Sequence, residues 1–297
     1  MVSVLIPTYN YDVTNLVKVI HSQASNSGIL YEVLVYDDGS KSKLNEQNKT
    51  INSLEHCTFK ELDKNIGRSA IRNQLGADAK YDYLLFLDAD VKIFTDDFLS
   101  KYLDAIQPET QIIYGGICYQ KETPNKEAFL RWIYGNKREA LSVQKRMENP
   151  HLSFLTLNFV IKKSVFSTMR FDETIPNFRN EDLLFAIAAR EKNIRIQHID
   201  NTVEHLGIES SQKFLEKTHE TVQSFDYITS KGLMNPNDAA LTRVGFKLDT
   251  WKLSYLYKAF YRISKSVLKR NLLSKHPSLF LFDLYRLGYF LEIKSKP

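Results

Sequence analysis

Two carboxylates lie two positions apart at the end of the apolar run LLFLDADV, and they are the residues best suited to chemistry. They are Asp88 and Asp90, and the small Ala89 between them leaves room for a bulky group. An ionised carboxylate is costly to desolvate unless water, a cation or a hydrogen-bond donor reaches it. Residues i and i+2 of an extended chain point to the same side, so both carboxylates are expected to face one ligand. Such oxygen ligands suit Mg²⁺ or Mn²⁺ beside phosphate oxygens, and the alternative is a solvated turn.

The first 120 residues alternate between strand-like and helix-like segments. Apolar strands are predicted at Val2–Ile6, Tyr31–Tyr36 and Tyr83–Leu87, and helices at Asn15–Gln23 and Ser69–Ala79. Continuous apolar strands separated by helices indicate βαβ units, in which a parallel sheet is covered on both faces. The pattern therefore predicts an α/β fold.

A polar cluster follows each of these three predicted strands. The clusters are Pro7-Thr8-Tyr9-Asn10, Asp37-Asp38-Gly39-Ser40 and Asp88-Ala89-Asp90. In open α/β sheets, ligands bind beyond the carboxyl ends of the strands. The three clusters therefore predict a ligand site at one edge of the sheet.

The segment from about residue 110 to 210 has a mixed pattern. A strand is predicted at Gln111–Cys118, a helix at Lys126–Leu141 and a further strand at Leu157–Lys162. Asn180-Glu181-Asp182 then precedes LLFAIAAREK, which reads as a helix with an N-cap and an acidic first turn.

The basic residues are concentrated near the end of the chain. The net charge is +5, with 43% hydrophobic and 25% charged residues, as in a globular protein with a substantial core. Residues 243–297 contain 12 Lys/Arg and 3 Asp/Glu, whereas the rest of the chain contains 28 and 32. The larger part is therefore slightly acidic, and no nucleic-acid partner is expected. The change in composition predicts a domain over 1–240 and a basic helical tail over 241–297.

The sequence also predicts a cytoplasmic protein. Cys57 and Cys118 form neither a disulfide framework nor a metal-binding spacing, which is typical of reduced thiols in the cytosol. The opening residues MVSVLIPTYN do not resemble a signal peptide, and no apolar run approaches the ~20 residues of a membrane-spanning helix.

Four motifs, in this order and at these separations, resemble the amino-terminal half of the family 2 glycosyltransferases. They are MVSVLIPTYN, VLVYDDGS, NIGRSAIRNQLGADA and YLLFLDADV, and the resemblance resumes at LNFVIKKSVF, RFDE and NEDLLFAIAAR. The resemblance implies a GT-A fold, a Rossmann-like, mostly parallel sheet flanked by helices, here with a helical carboxyl-terminal extension. It also implies a nucleotide-binding half over 1–95, an acceptor-binding half over 96–240, a divalent metal and inversion at the anomeric carbon.

The resemblance assigns the nucleobase to two of the polar clusters. Tyr9, after Pro7 and Thr8, matches the aromatic residue that stacks on the donor base, and its alternative role is that of a core tyrosine. Asp38 matches the carboxylate that accepts a hydrogen bond from the base imide, with Asp37 capping the turn. A shift of one residue in the alignment would exchange these two aspartates.

The diphosphate is assigned to basic residues of the third motif. Arg68 and Arg72 are four residues apart on one predicted helical face and are candidates for contact with the ribose or the diphosphate. Pairing with nearby acidic groups is an equally good interpretation.

The metal is assigned to the carboxylate pair and one histidine. Asp88 and Asp90 match the family's metal-binding pair, with Asp90 the direct ligand, and Asp88 and Ala89 also border the donor. His205, in TVEHLG, lies where several relatives place a metal-binding histidine, and a neutral imidazole is compatible with Mn²⁺. The alternative is a structural histidine.

Inversion requires a base that takes the proton of the acceptor hydroxyl. Asp182 matches the family's catalytic carboxylate, and Glu181 beside it is the second candidate. A helix amino terminus favours the ionised form that a base needs. The alternative is that the acidic residue only complements the helix dipole.

Two departures from the family pattern concern the acceptor. The processive signature Gln-x-x-Arg-Trp is absent after Asp182; Arg131-Trp132 precedes it and has Ala128 in place of Gln, which argues against polymerisation. Arg170 replaces the usual glycine before FDE, so a different acceptor loop is expected. The predicted reaction is transfer of one hexosyl or N-acetylhexosaminyl group from a UDP-sugar to a glycan hydroxyl, in surface polysaccharide or glycolipid assembly.

Three rival functions are weaker. A Rossmann dehydrogenase needs a glycine-rich turn after the first strand, where this chain has PTYN. A sugar nucleotidyltransferase would normally show a glycine-rich, basic loop at the same place. An inactive carbohydrate-binding or scaffold protein on a transferase fold is disfavoured by the retained aspartates.

The tail contains a predicted amphipathic helix. Its apolar positions are Trp251, Tyr255, Leu256, Phe260, Ile263 and Val267. Its cations are Lys252, Lys258, Arg262, Lys265, Lys269 and Arg270. Such a helix suits an anionic membrane surface, which would make the protein peripheral at the inner face of the cell membrane with a lipid-linked glycan as acceptor. The alternative is packing on the catalytic domain or on a second subunit of a homo-oligomer.

Overall fold

A computed structural model describes residues 1–175 and 179–294, and these residues divide into two compact units. The first unit consists of the described residues within 1–119, 140–177 and 181–207. The second consists of those within 120–139, 178–180 and 208–297. The boundary predicted near residue 240 falls inside the second unit, and the predicted division into domains stays a prediction.

The strands and helices of the described residues are as follows. The strands are β1 (Val2–Thr8), β2 (Tyr31–Asp37), β3 (Cys57–Glu61), β4 (Tyr83–Leu87), β5 (Val91–Lys92), β6 (Ile112–Tyr114), β7 (Ile117–Cys118), β8 (Asn158–Lys162), β9 (Ile196–His198) and β10 (Val203–His205). The helices are α1 (Thr14–Asn26), α2 (Asn45–Asn48), α3 (Arg68–Asp78), α4 (Phe98–Ala105), α5 (Phe129–Tyr134), α6 (Val143–Met147), α7 (Lys163–Thr168), α8 (Glu181–Glu191), α9 (Ser211–Ser230), α10 (Ala240–Thr250), α11 (Ser254–Leu272) and α12 (Leu279–Ile293).

The first unit is built on a seven-stranded sheet with the order β3-β2-β1-β4-β8-β6-β9. Strands β3, β2, β1 and β4 are parallel neighbours, and β6 is parallel to β9. Strand β8 is antiparallel to both β4 and β6. The predicted fold class, a mostly parallel sheet with flanking helices, is confirmed.

An aromatic core fixes helix α8 to this sheet. Phe86 of β4 stacks on Phe159 of β8 with ring centroids 5.0 Å apart. Phe171 stacks on Phe185 of α8 at 4.4 Å. All four rings are buried, and burial of each phenylalanine side chain contributes roughly 1.5–3 kcal/mol. This packing holds the amino terminus of α8 in place relative to the sheet.

The strand predicted over Gln111–Cys118 is wrong as a single element, because it breaks between β6 and β7. Gly116 has a φ of +99°, which side-chain-bearing residues rarely adopt. A Cβ at this position would also lie 2.8 Å from Nη1 of Arg146. The break sends β7 into a second, three-stranded sheet of order β5-β10-β7.

A buried polar network holds the break. Arg146 is 1% exposed, donates a hydrogen bond to the Ile199 carbonyl at 2.9 Å and packs over the ring of Tyr114. The side-chain amide of Asn158 donates to the carbonyls of Gly116 and Asn201 at 2.9 and 2.8 Å. Buried carbonyls without hydrogen bonds would destabilise the folded state by the free energy of their desolvation. The hydrogen bonds from Arg146 and Asn158 therefore fix the place where the chain leaves the large sheet.

The second unit is helical. Helices α5, α9, α11 and α12 share a core of buried residues, namely Leu130, Leu215, Tyr261, Leu268, Leu272, Phe282 and Tyr285. Gly288 of α12 lets Tyr261 of α11 approach closely, because a Cβ there would lie 2.1 Å from the ring. The predicted helical carboxyl-terminal region is confirmed. None of the helices described for this chain is both long and apolar enough to cross a bilayer.

His198 in β9 makes the first unit sensitive to acid. Its Nε2 donates a hydrogen bond to the Pro150 carbonyl at 2.9 Å, and burial lowers its pKa from 6.5 to about 4. In the unfolded chain this imidazole is protonated as the pH falls below about 6.5, whereas in the folded chain it is protonated only near pH 4. Protonation therefore favours the unfolded chain, and the free energy of unfolding falls as the pH falls through this window.

We expect His198 to remove up to about 3 kcal/mol of unfolding free energy between pH 7 and pH 4. In His198→Gln, whose amide keeps the donor to the Pro150 carbonyl, the loss over this window should be smaller by that amount. Urea unfolding curves at both pH values measure the difference. Equal losses in the two proteins would contradict the assignment.

Candidate active site

Strand β1 carries the first polar cluster to the edge of the sheet. Pro7 and Thr8 end this strand, and Thr8 is buried with its carbonyl accepting from the Asp38 amide at 2.9 Å. Tyr9, the next residue, is 58% exposed. Its ring is thus accessible to a flat ligand, as the predicted stacking on a nucleobase requires.

The two aspartates after β2 have different partners. Asp37 is fully buried, and its carboxylate accepts from the amide and hydroxyl of Ser40 at 2.8 and 2.7 Å, so it caps the turn. The Asp38 carboxylate accepts from the amides of Ile66 and Gly67 at 2.7 and 3.0 Å. Asp38 therefore fixes the loop that leads into α3, and its contact with a base stays a prediction.

Burial and backbone contacts act on Asp38 in opposite directions. Burial raises the pKa of its carboxyl, the two backbone amides lower it and repulsion from Asp37 raises it, with a net increase. The loop lies close against the turn, since a Cβ on Gly39 would be 2.3 Å from the Lys64 carbonyl carbon. This turn therefore accepts no larger residue at position 39 without moving the loop.

Arg72 of α3 is a buried cation between two carboxylates. Its Nη2 donates to Oδ1 of Asp88 at 2.6 Å, and its Nη1 lies 3.8 Å from Oε1 of Glu181. Burial lowers the pKa of this guanidinium, but Asp88, Glu181 and Asp182 raise it by more, so the pKa lies above its ordinary value. Arg72 therefore stays charged and joins α3, the end of β4 and the start of α8.

Arg68, one turn earlier, has a different environment. Its side chain is 48% exposed, against 7% for Arg72, and its Nη1 lies 3.7 Å from Glu181. Of the two arginines, Arg68 is the one whose guanidinium remains open to solvent and to a ligand. The predicted contact of either with ribose or diphosphate stays a prediction.

Arg72→Gln should lower the unfolding free energy by about 3–5 kcal/mol, because the change leaves carboxylates without their buried cation. Arg68→Gln is the matched control on the same helix, and it should cost less than about 1 kcal/mol because that ion pair is partly exposed. Chemical unfolding at pH 7 measures both. Similar losses in the two variants would show that Arg72 does not neutralise the site.

Asp88 and Asp90 face different partners, so the predicted extended geometry is wrong here. Strand β4 ends at Leu87, and residues 89–90 form a turn before β5. Asp88 is held by Arg72. Oδ2 of Asp90 instead lies 3.5 Å from Nε2 of His205. Because the chain turns at residues 89–90, one continuous strand does not present both carboxylates.

The small sheet brings His205 to Asp90. Strand β10 is antiparallel to β5 with His205 opposite Val91, the residue after Asp90. A Cβ on Gly207 would lie 2.5 Å from Oδ2 of Asp90 and 2.7 Å from Cε1 of His205. Position 207 therefore has to be glycine for these two side chains to keep their places.

The Asp90–His205 pair fits a divalent cation. Nδ1 of His205 is buried and makes no hydrogen bond among the residues described, while its Nε2 faces the Asp90 carboxylate. The described residues contain no group of three or more His, Cys, Asp and Glu arranged to hold a metal. Mg²⁺ and Mn²⁺ commonly take one or two protein carboxylates and complete their shell with water and substrate phosphates. The donor set present is of this open kind.

Tyr11 is a further candidate site residue that the sequence motifs did not single out. Burial raises the pKa of its hydroxyl, and the negative charge of Asp90 and then of Asp12 raises it further, which places Tyr11 near the metal candidate. Its carbonyl accepts from the Asn48 amide at 2.9 Å. The only signal in the sequence was a second aromatic residue two positions after Tyr9.

Helix α8 presents the candidate base. Glu181 and Asp182 form its acidic first turn, and the following turns are buried through Leu184, Phe185 and Ile187. The Leu183 amide donates to Oδ1 of Asp182 at 2.8 Å. Asp182 acts electrostatically on Arg72, so the site brings this carboxylate toward the same cation as Asp88 and Glu181.

Solved structures share this architecture at low sequence identity. Mannosyltransferase PcManGT from Pyrobaculum calidifontis, solved with GDP-Man and Mn²⁺, has a TM-score of 0.57 at 15% identity, with 97% of this chain and 85% of that chain covered. S. aureus TarS 1-349 has a TM-score of 0.51 at 18% identity, covering 74% of this chain. The match spans 64% of that TarS chain, less than two thirds of its length.

A third structure extends the comparison. Glucosyl-3-phosphoglycerate synthase from Mycobacterium tuberculosis, solved with Mn²⁺, UDP and glucosyl-3-phosphoglycerate, has a TM-score of 0.51 at 12% identity and covers 79% of this chain and 81% of that one. A search of curated protein sequences gives no significant match. The fold is the GT-A fold of glycosyltransferases.

The family is shown by the sequence itself. The family model "Glycosyl transferase family 2" matches residues 3–170, which is more than half of the chain. The chain belongs to glycosyl transferase family 2, as its motifs predicted.

Proposed function

We propose that this protein transfers a single sugar from a UDP-sugar to a hydroxyl of a glycan or lipid-linked glycan, with inversion at the anomeric carbon. The observation that carries the proposal is the pairing of Asp90 with His205 at the same sheet edge as the acidic start of α8. An inverting transferase needs a cation for the donor diphosphate and a base for the acceptor, and these two groups supply one each.

The donor would lie along the carboxyl ends of β1 and β2. The exposed ring of Tyr9 would stack on the base, and Asp38 would accept from its imide in addition to holding the Ile66–Gly67 amides. The exposed guanidinium of Arg68 is suited to the ribose or diphosphate. The Mycobacterium relative was solved with UDP and the Pyrobaculum relative with GDP-Man, which supports a nucleotide-sugar donor and leaves the base a proposal.

Asp90 and His205 would hold Mn²⁺ or Mg²⁺. When bound, such an ion supplies positive charge that offsets the charge developing on the departing nucleotide. Asp88, bound by Arg72, would border the donor and orient the turn that carries Asp90. The relatives solved with Mn²⁺ support this choice of cation.

Asp182 would accept the proton of the acceptor hydroxyl. Glu181, the second candidate, has a side chain only 11% exposed and lies 3.7 and 3.8 Å from the guanidinium nitrogens of Arg68 and Arg72. These contacts suit Glu181 to positioning α3 against α8. The helix amino terminus favours the ionised form of Asp182.

Asp90→Asn should remove the Mn²⁺-dependent part of UDP binding and abolish transfer, because an amide is a much poorer ligand for a hard cation. Isothermal titration of UDP with and without Mn²⁺ separates the two parts of binding. Gly207→Ala should produce the same loss through crowding, since its Cβ would overlap Asp90 and His205. Metal-dependent UDP affinity equal to that of the wild type in Asp90→Asn would reject the metal assignment.

Asp182→Asn should leave UDP binding nearly intact while transfer falls by a factor on the order of 10²–10⁴, the contribution of a positioned general base. Glu181→Gln is the neighbouring comparison. Activity is measured with a panel of nucleotide sugars, by transfer and by the slower donor hydrolysis. Loss of transfer in Glu181→Gln but not in Asp182→Asn would move the base to Glu181. Intact UDP binding with no turnover of any donor by the wild type would instead indicate an inactive, carbohydrate-binding relative.

A further inference from the structure

Helix α11 has one apolar side that is packed. Tyr261, Leu268 and Leu272 are each at most 5% exposed and belong to the core of the second unit. Tyr261 also lies edge-on against Tyr285 of α12, with ring centroids 5.8 Å apart. The attachment of α11 to its own unit therefore uses this side.

A second apolar side of the same helix is exposed. The exposed stripe consists of Leu256, Phe260, Ile263 and Val267, whose side chains are 62%, 48%, 85% and 64% exposed. Their spacing of four, three and four residues keeps them within an arc of roughly 60° at about 100° per residue. Trp251 and Tyr255 are also exposed, at the start of the helix. Contiguous exposed apolar surface of this kind marks an interaction site.

The surroundings of the stripe are cationic. Residues 250–282 contain seven Lys/Arg and no Asp/Glu. On a helical projection Arg270 borders the stripe, whereas the side opposite it carries most of the cations, and Lys252 lies two residues before the helix. That side consists of Lys258, Arg262, Lys265 and Lys269. Arg262 and Lys265 share one carboxylate, that of Glu292, so the positive charge of this side is only partly offset.

The positive charges around the stripe distinguish between two possible partners, a second copy of the chain and an anionic lipid bilayer. A contact between two copies through the stripe would bring together two segments that each carry seven cations and no acidic residue over 250–282. Like charges across an interface cost several kcal/mol, and lysine is depleted in protein interfaces. A bilayer with anionic headgroups satisfies both features, because it buries the stripe at the acyl boundary and attracts Arg270 beside it, with a weaker, salt-screened attraction for the cations of the opposite side.

We propose that α11 docks the protein onto an anionic lipid bilayer, with the stripe inserted at the headgroup boundary and the helix parallel to the surface. At about 1.5 Å per residue the helix is ~28 Å long, so it offers four apolar side chains along most of its length. The proposal concerns where the protein works and holds whether or not the proposed transfer reaction is correct.

The test is flotation of the full chain with vesicles. Vesicles of equimolar phosphatidylcholine and phosphatidylglycerol should bind the protein, with binding that weakens as salt is added, and phosphatidylcholine alone should bind it poorly. Phe260→Ser combined with Ile263→Ser should reduce binding at least about 10-fold, because two inserted apolar side chains are lost. Both positions are exposed, so folding and hydrolysis of a soluble donor should not change.

A matched control changes apolar surface elsewhere. Leu30→Ser combined with Leu152→Ser alters residues 61% and 42% exposed in the first unit, and it should leave vesicle binding unchanged. Failure of the full chain to bind either vesicle would overturn the proposal, as would equal binding by the Phe260/Ile263 variant. Sedimentation equilibrium without lipid supplies the remaining outcome. A wild-type dimer that this variant converts to monomer would assign the stripe to a second copy.

Discussion

The carboxyl edge of the sheet depends on one buried charge. Asp88, Glu181 and Asp182 come from distant parts of the sequence, and carboxylates brought together away from water repel one another. The Arg72 guanidinium lies close to Asp88 and Glu181 and interacts electrostatically with Asp182. Its positive charge reduces the repulsion between these carboxylates where β4 and α8 converge. The candidate base Asp182 and the turn that leads to Asp90 are therefore assembled around a cation that the protein supplies itself.

A second constraint is the point at which the chain passes from the seven-stranded sheet to the three-stranded sheet. The large sheet carries the edge proposed to bind the donor, but the histidine beside Asp90 belongs to the small sheet. Arg146 and Asn158 bind the carbonyls exposed where the chain crosses, and this fixes β7 and β10. The buried polar contacts of Arg146 and Asn158 thus help to set the distance between two groups at that edge.

The sequence predicted the elements whose burial is continuous. The apolar residues of β1, β2 and β4 and of α3 and α8 follow patterns that can be recognised in the sequence. The polar residues at the ends of these elements mark the candidate site. The break after Tyr114 was missed because it depends on Arg146, which approaches Gly116 only in the folded chain. Pairing of Arg72 with acidic groups was one of two interpretations of the sequence, but the identity of its partners and the position of Tyr11 are set by tertiary contacts.

The pairing of β10 with β5 also restricts insertions and deletions in the segment before β10. Side chains alternate along a strand, so one codon inserted between β9 and β10 would put Glu204 where His205 now lies opposite Val91. A second carboxylate would then face Asp90, and a deletion would put the apolar Leu206 there instead. The length of this short connection therefore helps to determine which side chain lies beside Asp90.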